Sequence, residues 1–133
     1  MARPFLDTNI LLYLLSADAT KANLAEDIVA QGGTISVQVL NEFAAVAGRK
    51  LRLDVAEIRE VLGPIRTLCR VTPLSTDTHD RALHLVERHR FAFYDALIVG
   101  AALEACCDTL YSEDLQHGQI VDGVLTIRNP FKI

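Results

Sequence analysis

Short apolar, β-branched runs alternate with helical patterns along the chain, and this alternation restricts the fold more than any other feature. The composition of buried strands occurs at residues 5–6, 34–37, 70–74 and 109–111. Each run is followed by a segment whose apolar residues recur at helical spacing. Strands that alternate with helices form a parallel sheet with helices on both faces. We therefore predict one α/β domain over residues 1–133, a three-layer α/β/α sandwich with a short, mostly parallel central sheet.

Glycine and proline predict two helix boundaries. The apolar residues of segment 40–47 recur at helical spacing, and Gly48 is predicted to end that helix. A capping box at Asp54 begins the next helix. Gly63 and Pro64 are predicted to kink this second helix or to split it in two, because proline cannot donate the backbone hydrogen bond.

The cysteines and the apolar runs exclude several classes of protein. Cys69, Cys106 and Cys107 are odd in number, lack C-x-x-C spacing and have no histidine at zinc-ligand spacing. We expect them to be reduced, packed thiols, as in cytoplasmic proteins. The longest later apolar run, residues 96–103, is far too short to cross a bilayer, so no membrane association is expected.

Four acidic residues lie in stretches that are otherwise apolar or turn-like: Asp7, Glu42, Asp95 and Asp114. Carboxylates rarely enter a core unpaired, and no Lys or Arg lies beside the last three. Asp7 and Asp114 both follow predicted strands, and open parallel sheets form their sites at that edge. If the four converge, each pair at ~5 Å repels by roughly 3 kcal/mol at an effective dielectric of ~20. A divalent cation is then the natural partner.

Each acid taken singly also has a purely structural explanation. Asp7 suits a helix N-cap and Asp95 suits the first turn of a helix. Glu42 suits a half-exposed helix face, and Asp114 suits a turn. The charge balance favours the shared site, since the net charge of −4 comes from 13 basic and 17 acidic residues and vanishes without these four.

Five segments, in order and spacing, resemble one known family. They are Asp7-Thr8-Asn9, Ser36 through Glu42-Phe43, Tyr94-Asp95-Ala96-Leu97-Ile98, Ser112-Glu113-Asp114-Leu115-Gln116-His117-Gly118 and Asn129-Pro130-Phe131. Together they are similar to PIN-domain ribonucleases, specifically to the VapC-type toxins of toxin–antitoxin pairs. The Asp-Ala-Leu-Ile and Glu-Asp-Leu-Gln-His-Gly blocks are the most specific part of the match.

The resemblance implies an endoribonuclease that uses Mg²⁺, with Mn²⁺ as a substitute, and acts as the toxin of a type II pair. It implies that the metal is held by Asp7, Glu42, Asp95 and Asp114, with Glu113 as the rival of Asp114. It also implies a homodimer, an RNA substrate and a small cognate, VapB-like antitoxin that inhibits the protein. Such ions activate a water molecule for phosphodiester hydrolysis. The supporting polar groups beside these acids are Thr8, Asn9 and Ser112.

Positive charge for RNA binding is available at Arg49, Lys50 and Arg52, just after the helix that carries Glu42. Cations at a helix C-terminus also suit the helix dipole, so a structural explanation stays open for them. The sequence shows no evident aromatic platform for stacking bases.

Two other functions compete with the toxin. One is a catalytically idle PIN fold that only binds a partner, and the other is a DNA-directed or structure-specific nuclease of the same superfamily. An idle pocket has no reason to tolerate four repelling acids, which argues against the first. A haloacid-dehalogenase-like phosphatase would need a second Asp where Asn9 lies.

Overall fold

A six-stranded sheet forms the centre of the computed structural model, which describes residues 3–132. Its strands are β1 (Phe5–Leu6), β2 (Thr34–Ser36), β3 (Arg70–Thr72), β4 (Thr109–Tyr111), β5 (Ile120–Val121) and β6 (Leu125–Arg128). Their order is β3-β2-β1-β4-β6-β5, and all neighbours are parallel except β5 and β6. The predicted α/β sandwich with a mostly parallel sheet is confirmed.

Six α-helices connect or flank these strands within the described residues: α1 (Thr8–Leu12), α2 (Ala19–Ala30), α3 (Val37–Arg49), α4 (Val55–Leu68), α5 (Thr76–His89) and α6 (Phe93–Glu104). A 3₁₀ turn, Tyr13–Leu15, continues α1. Five helices begin with a side chain that accepts a hydrogen bond from the first-turn backbone, which satisfies otherwise unpaired N–H groups. These side chains belong to Asp7, Asp18, Ser36, Asp54 and Ser75.

Helices cover the sheet on both sides. Both residues of β1 and all three of β2 are buried, and successive strand residues point to opposite faces. The core is mainly aliphatic, with Phe5 and Phe43 as its largest fully buried side chains. Every residue of α6 from 96 to 102 is buried, so this helix lies at the centre of the molecule, as its uniformly apolar sequence predicts.

The helix end predicted at Gly48 and the split predicted at Pro64 are wrong. Gly48 lies inside α3, which continues to Arg49. Among residues 3–132, Gly48 is not one of the glycines with positive φ, the conformation that a glycine cap needs. Likewise α4 runs unbroken through Pro64. Because Pro64 is exposed, water can satisfy the carbonyl group that its missing N–H leaves free.

The hairpin of β5 and β6 is absent from the sequence analysis, although a signal for it exists. Its turn contains Asp122 and Gly123, which both have positive φ, at 51° and 72°. An Asp-Gly pair between apolar residues is a strong hairpin signal. β6 pairs with β4, so the hairpin extends the sheet beyond β4.

The cysteines differ in burial. Cys69 and Cys107 are buried free thiols, as expected. Cys106 is exposed, so the expectation that it is packed is wrong. Within residues 3–132, no helix combines the length and the hydropathy that crossing a bilayer requires.

Candidate metal centre

Asp7 lies at the junction of β1 and α1, where its backbone N–H donates to the carbonyl of Tyr111 at 3.0 Å. Its Oδ1 accepts from the Thr8 backbone N–H at 2.7 Å and so caps α1. Its Oδ2 accepts from Ser112 Oγ at 2.8 Å and from Asn9 Nδ2 at 3.3 Å. The predicted N-cap and the predicted site residue are thus the same side chain. β1 and β4 are neighbours where the strand order reverses, the usual place for a site in an open parallel sheet.

Burial raises the pKa of Asp7 from its ordinary value of 3.8 to about 6. The hydrogen bonds from Ser112 and Thr8 lower this pKa, and the charges of Glu42 and Asp114 raise it. Only 5% of Asp7 is exposed, so the ionised form lies in a poorly solvated place. A buried carboxylate with a raised pKa beside like charges is typical of a functional site.

Glu42 reaches the same place from the second turn of α3. Its Oε1 accepts from Thr8 Oγ1 at 2.7 Å, which joins two elements that are 34 residues apart in sequence. Its Oε2 accepts from Gln38 Nε2 at 3.2 Å, one helical turn earlier. The sequence analysis missed Gln38, although residues four apart on a helix are natural neighbours. These two contacts orient the Glu42 carboxylate.

Asp95 and Asp114 complete the group. Asp95 lies in the first turn of α6, and its pKa is raised by burial and then by the charges of Asp114 and Glu42. Asp114 Oδ2 accepts from Asn9 Nδ2 at 3.2 Å, while its backbone N–H donates to Ser112 Oγ at 3.2 Å. Asn9 therefore donates to the carboxylates of both Asp7 and Asp114.

One cavity of about 380 Å³ is lined by all four acids, which come from four separate parts of the chain. Thr8, Asn9, Tyr94 and Arg49 are also part of its wall. The structure thus places the predicted site acids Asp7, Glu42, Asp95 and Asp114 in the wall of one cavity.

Glu113 is held elsewhere. Its carboxylate accepts hydrogen bonds from the Tyr13 hydroxyl and, at 3.1 Å, from Lys21 Nζ. These two partners lower the pKa of Glu113, with the Tyr13 hydrogen bond as the larger cause. Glu113 is already neutralised by a partner, whereas Asp114 lines the cavity of the other acids.

The donor set fits a divalent cation by its chemistry. In the described part of the chain the ion pairs involve Glu113 and Asp122, and none involves the four acids of the cavity. Their negative charge is therefore not neutralised by a basic side chain, and carboxylate oxygens are the ligands that Mg²⁺ prefers. As the side chains stand, no three His, Cys, Asp or Glu residues among 3–132 are grouped tightly enough to hold a metal ion.

The three basic residues predicted to bind RNA lie at different distances from the acids. Arg49 lines the acidic cavity itself. Lys50 lines a neighbouring, mainly apolar groove beside Asp114. Arg52 is exposed, has a positive φ of 57° and lines neither of these two cavities.

The comparison with known protein families agrees with this geometry. A family model described as PIN domain matches residues 5–121. The chain belongs to the PIN-domain family. The match includes Asp7, Glu42, Asp95 and Asp114, and the resemblance stated from the sequence is confirmed. No curated protein matches this PIN domain at a significant level.

Solved structures share the fold of this PIN domain. A toxin–antitoxin complex from Klebsiella pneumoniae matches with a TM-score of 0.70 and 22% identity, over 98% of this chain and 99% of that one. VapC20 of Mycobacterium tuberculosis, a sarcin-ricin loop cleaving toxin, gives 0.67 and 23%, over 83% and 88%. VapBC2 from Rickettsia felis, bound to a promoter DNA fragment, gives 0.66 and 20%, over 94% and 96%. At these identities the likeness establishes the fold.

Proposed function

We propose that this PIN domain is a metal-dependent endoribonuclease and the toxin of a type II toxin–antitoxin pair. One observation carries the proposal: four carboxylates from separate parts of the chain line one cavity with no ion pair to a basic side chain in the described residues. Such an arrangement destabilises the metal-free fold, so a role that needs it is favoured. The toxin role is supported by the structural neighbours, which include a toxin–antitoxin complex, a sarcin-ricin loop cleaving toxin and VapBC2.

The residues that would hold the ion are Asp7, Glu42, Asp95 and Asp114. Bound there, Mg²⁺, or Mn²⁺ in its place, supplies Lewis acidity toward a phosphodiester and toward the attacking water. Ser112 and Asn9 fix the Asp7 carboxylate through hydrogen bonds at 2.8 and 3.3 Å. Thr8 fixes Glu42 in the same way at 2.7 Å.

Substrate and partners follow from the same reasoning. Arg49 in the cavity wall suits a phosphate of the RNA backbone, with Lys50 and Arg52 farther along the strand. We further propose that the protein forms a homodimer and is inhibited by a small antitoxin encoded beside it. An idle binding module is less favoured because it gains nothing from four carboxylates in one cavity without an ion pair to a basic side chain in the described residues. A DNA-directed nuclease is the remaining alternative.

The test is a cleavage assay with structured and unstructured RNA and with DNA, in Mg²⁺, in Mn²⁺ and in EDTA. We expect RNA cleavage that requires the metal and is nearly abolished by Asp7→Asn and by Asp95→Asn. The matched control is Asp27→Asn, which makes the same chemical change at an exposed position of α2. Undiminished cleavage in EDTA would remove the metal mechanism, and cleavage of DNA alone would select the alternative.

A further inference from the structure

Tyr94 is an exposed aromatic residue at the edge of the acidic cavity. Its relative exposure of 65% is the largest among the exposed large hydrophobic side chains of the described chain. It precedes Asp95 in the first turn of α6 and lines the same cavity. The exposed face of this ring is therefore open to a flat ligand that enters the cavity.

One neighbouring aromatic side chain contacts the ring of Tyr94. Phe93 contacts it edge to face, with ring centroids 5.9 Å apart and an interplanar angle of 61°. Phe93 in turn packs edge-on against His79, at 5.6 Å and 68°, and against the hydrophobic core. A ring held in this way loses little conformational entropy when a flat ligand binds to it.

The other groups of the cavity account for a phosphate but not for a base. In the proposed function the four acids would hold an ion that attracts phosphodiester oxygens, and the guanidinium of Arg49 would bind such oxygens directly. Unpaired bases of RNA are bound chiefly by stacking on aromatic side chains. Among the residues that line this cavity, Tyr94 is the one aromatic ring in the described structure.

We propose that Tyr94 stacks on an unpaired nucleobase next to the phosphate that the cavity holds. The substrate is then a single-stranded or looped RNA segment, and Tyr94 influences which phosphate is cleaved. This inference rests on the proposed function and adds to it a residue that binds the base. The sequence shows no evident aromatic platform for stacking bases, and the proposal assigns that role to this single ring.

The test measures RNA binding rather than cleavage. In an Asp7→Asn background with Mg²⁺, a short labelled single-stranded RNA is titrated and its anisotropy is recorded. Stacking contributes roughly 1–3 kcal/mol per base, so Tyr94→Leu should weaken binding by about 5- to 150-fold. Tyr94→Phe keeps the ring and should bind like the parent protein. Ile120→Ala, which removes another exposed apolar side chain from β5, is the control and should change nothing.

A second readout reports the contact directly. The chain has three tyrosines and no tryptophan, so its intrinsic fluorescence comes from Tyr13, Tyr94 and Tyr111. Stacking on a base should quench this fluorescence when RNA is added. Tyr94→Phe should lose most of the quenching while binding normally, whereas Tyr111→Phe should retain it.

The outcomes separate the two proposals. If the wild type cleaves no RNA and the Asp7→Asn protein binds none, the proposed function itself fails. If the Asp7→Asn protein binds RNA but Tyr94→Leu binds equally well and the quenching persists in Tyr94→Phe, only the stacking inference is overturned. A Tyr94→Leu variant that binds RNA normally but changes its sedimentation would assign the ring to a protein interface and would also overturn the inference.

Discussion

The buried carboxylate of Asp7 should make the metal-free protein less stable at neutral pH than in mild acid, and Asp7→Asn should remove this dependence. Burial raises the pKa of Asp7 to about 6, against an ordinary value of 3.8. The folded protein therefore binds the proton more tightly than the unfolded chain does. As a result this group destabilises the fold most above pH ~6, and stability returns as the pH falls toward ~4.

The magnitude follows from the two pKa values. A difference of about 2 pKa units corresponds to roughly 3 kcal/mol over the whole pH window. Between about pH 7 and pH 5 the linkage relation gives a gain of about 1.3 kcal/mol in the free energy of unfolding. Asn keeps the cap of α1, because its carbonyl oxygen accepts from Thr8 as Asp7 Oδ1 does. The amide group of Asn replaces the oxygen that accepts from Ser112 and Asn9. This should lower the free energy of unfolding by about 1 kcal/mol at every pH.

The assay is urea unfolding in EDTA at about pH 7, 6 and 5 for the wild type, Asp7→Asn and Asp27→Asn. Because the lost hydrogen bond is pH-independent, the change of the wild-type-minus-variant difference with pH isolates the titration of Asp7. We expect the free energy of unfolding to change less with pH in Asp7→Asn than in the wild type, and to change in Asp27→Asn as it does in the wild type. Parallel profiles for the wild type and Asp7→Asn would refute the raised pKa and the buried site built on it.

Three further results are expected. Asp95→Asn should stabilise the metal-free protein by about 1 kcal/mol, since it removes charge repulsion that water partly screens. Mg²⁺ should raise the melting temperature of the wild type more than that of the variant. A destabilised variant, with no response to Mg²⁺ in either protein, would contradict the shared site. Glu113→Gln should lower the melting temperature at neutral pH, because it removes the charge that strengthens the contacts with Tyr13 and Lys21. The deficit should shrink as the pH falls through the lowered pKa of Glu113, and a deficit constant with pH would contradict this reasoning. Expression of the wild type should slow cell growth, whereas expression of Asp7→Asn should not. Co-expression of the wild type with the gene product encoded beside it should give an inactive complex. Equal growth of the cells that express the wild type and those that express Asp7→Asn would contradict the toxin role.

Local chemistry made much of the fold predictable from sequence. The alternation of apolar runs with helical periods predicts the β1, β2, β3 and β4 strands, because a residue pattern reflects which faces are buried. The capping box at Asp54 is present as predicted. Gly48 does not end α3 and Pro64 does not split α4, because tertiary packing and solvent exposure decide whether a helix tolerates these residues, and neither is visible in the local sequence.

The candidate site was predictable from sequence for the residues that directly follow predicted strands. Asp7 and Asp114 follow neighbouring parallel strands, so their proximity follows from topology. The engagement of Glu113 with Lys21, which lies 92 residues away in sequence, depends on long-range packing and was not predictable. The exposure of Tyr94 and its place in the cavity wall were not predictable for the same reason, since both are properties of the folded chain.

The central claim is that four carboxylates form one divalent-metal site, and calorimetric titration of the metal-free protein with Mn²⁺ tests it most directly. We predict saturable binding to the wild type and to Asp27→Asn. Asp7→Asn and Asp95→Asn should each bind about 10-fold or more weakly, because each loses a charged ligand. Equal Mn²⁺ binding by all four proteins, or no binding by the wild type, would contradict the account.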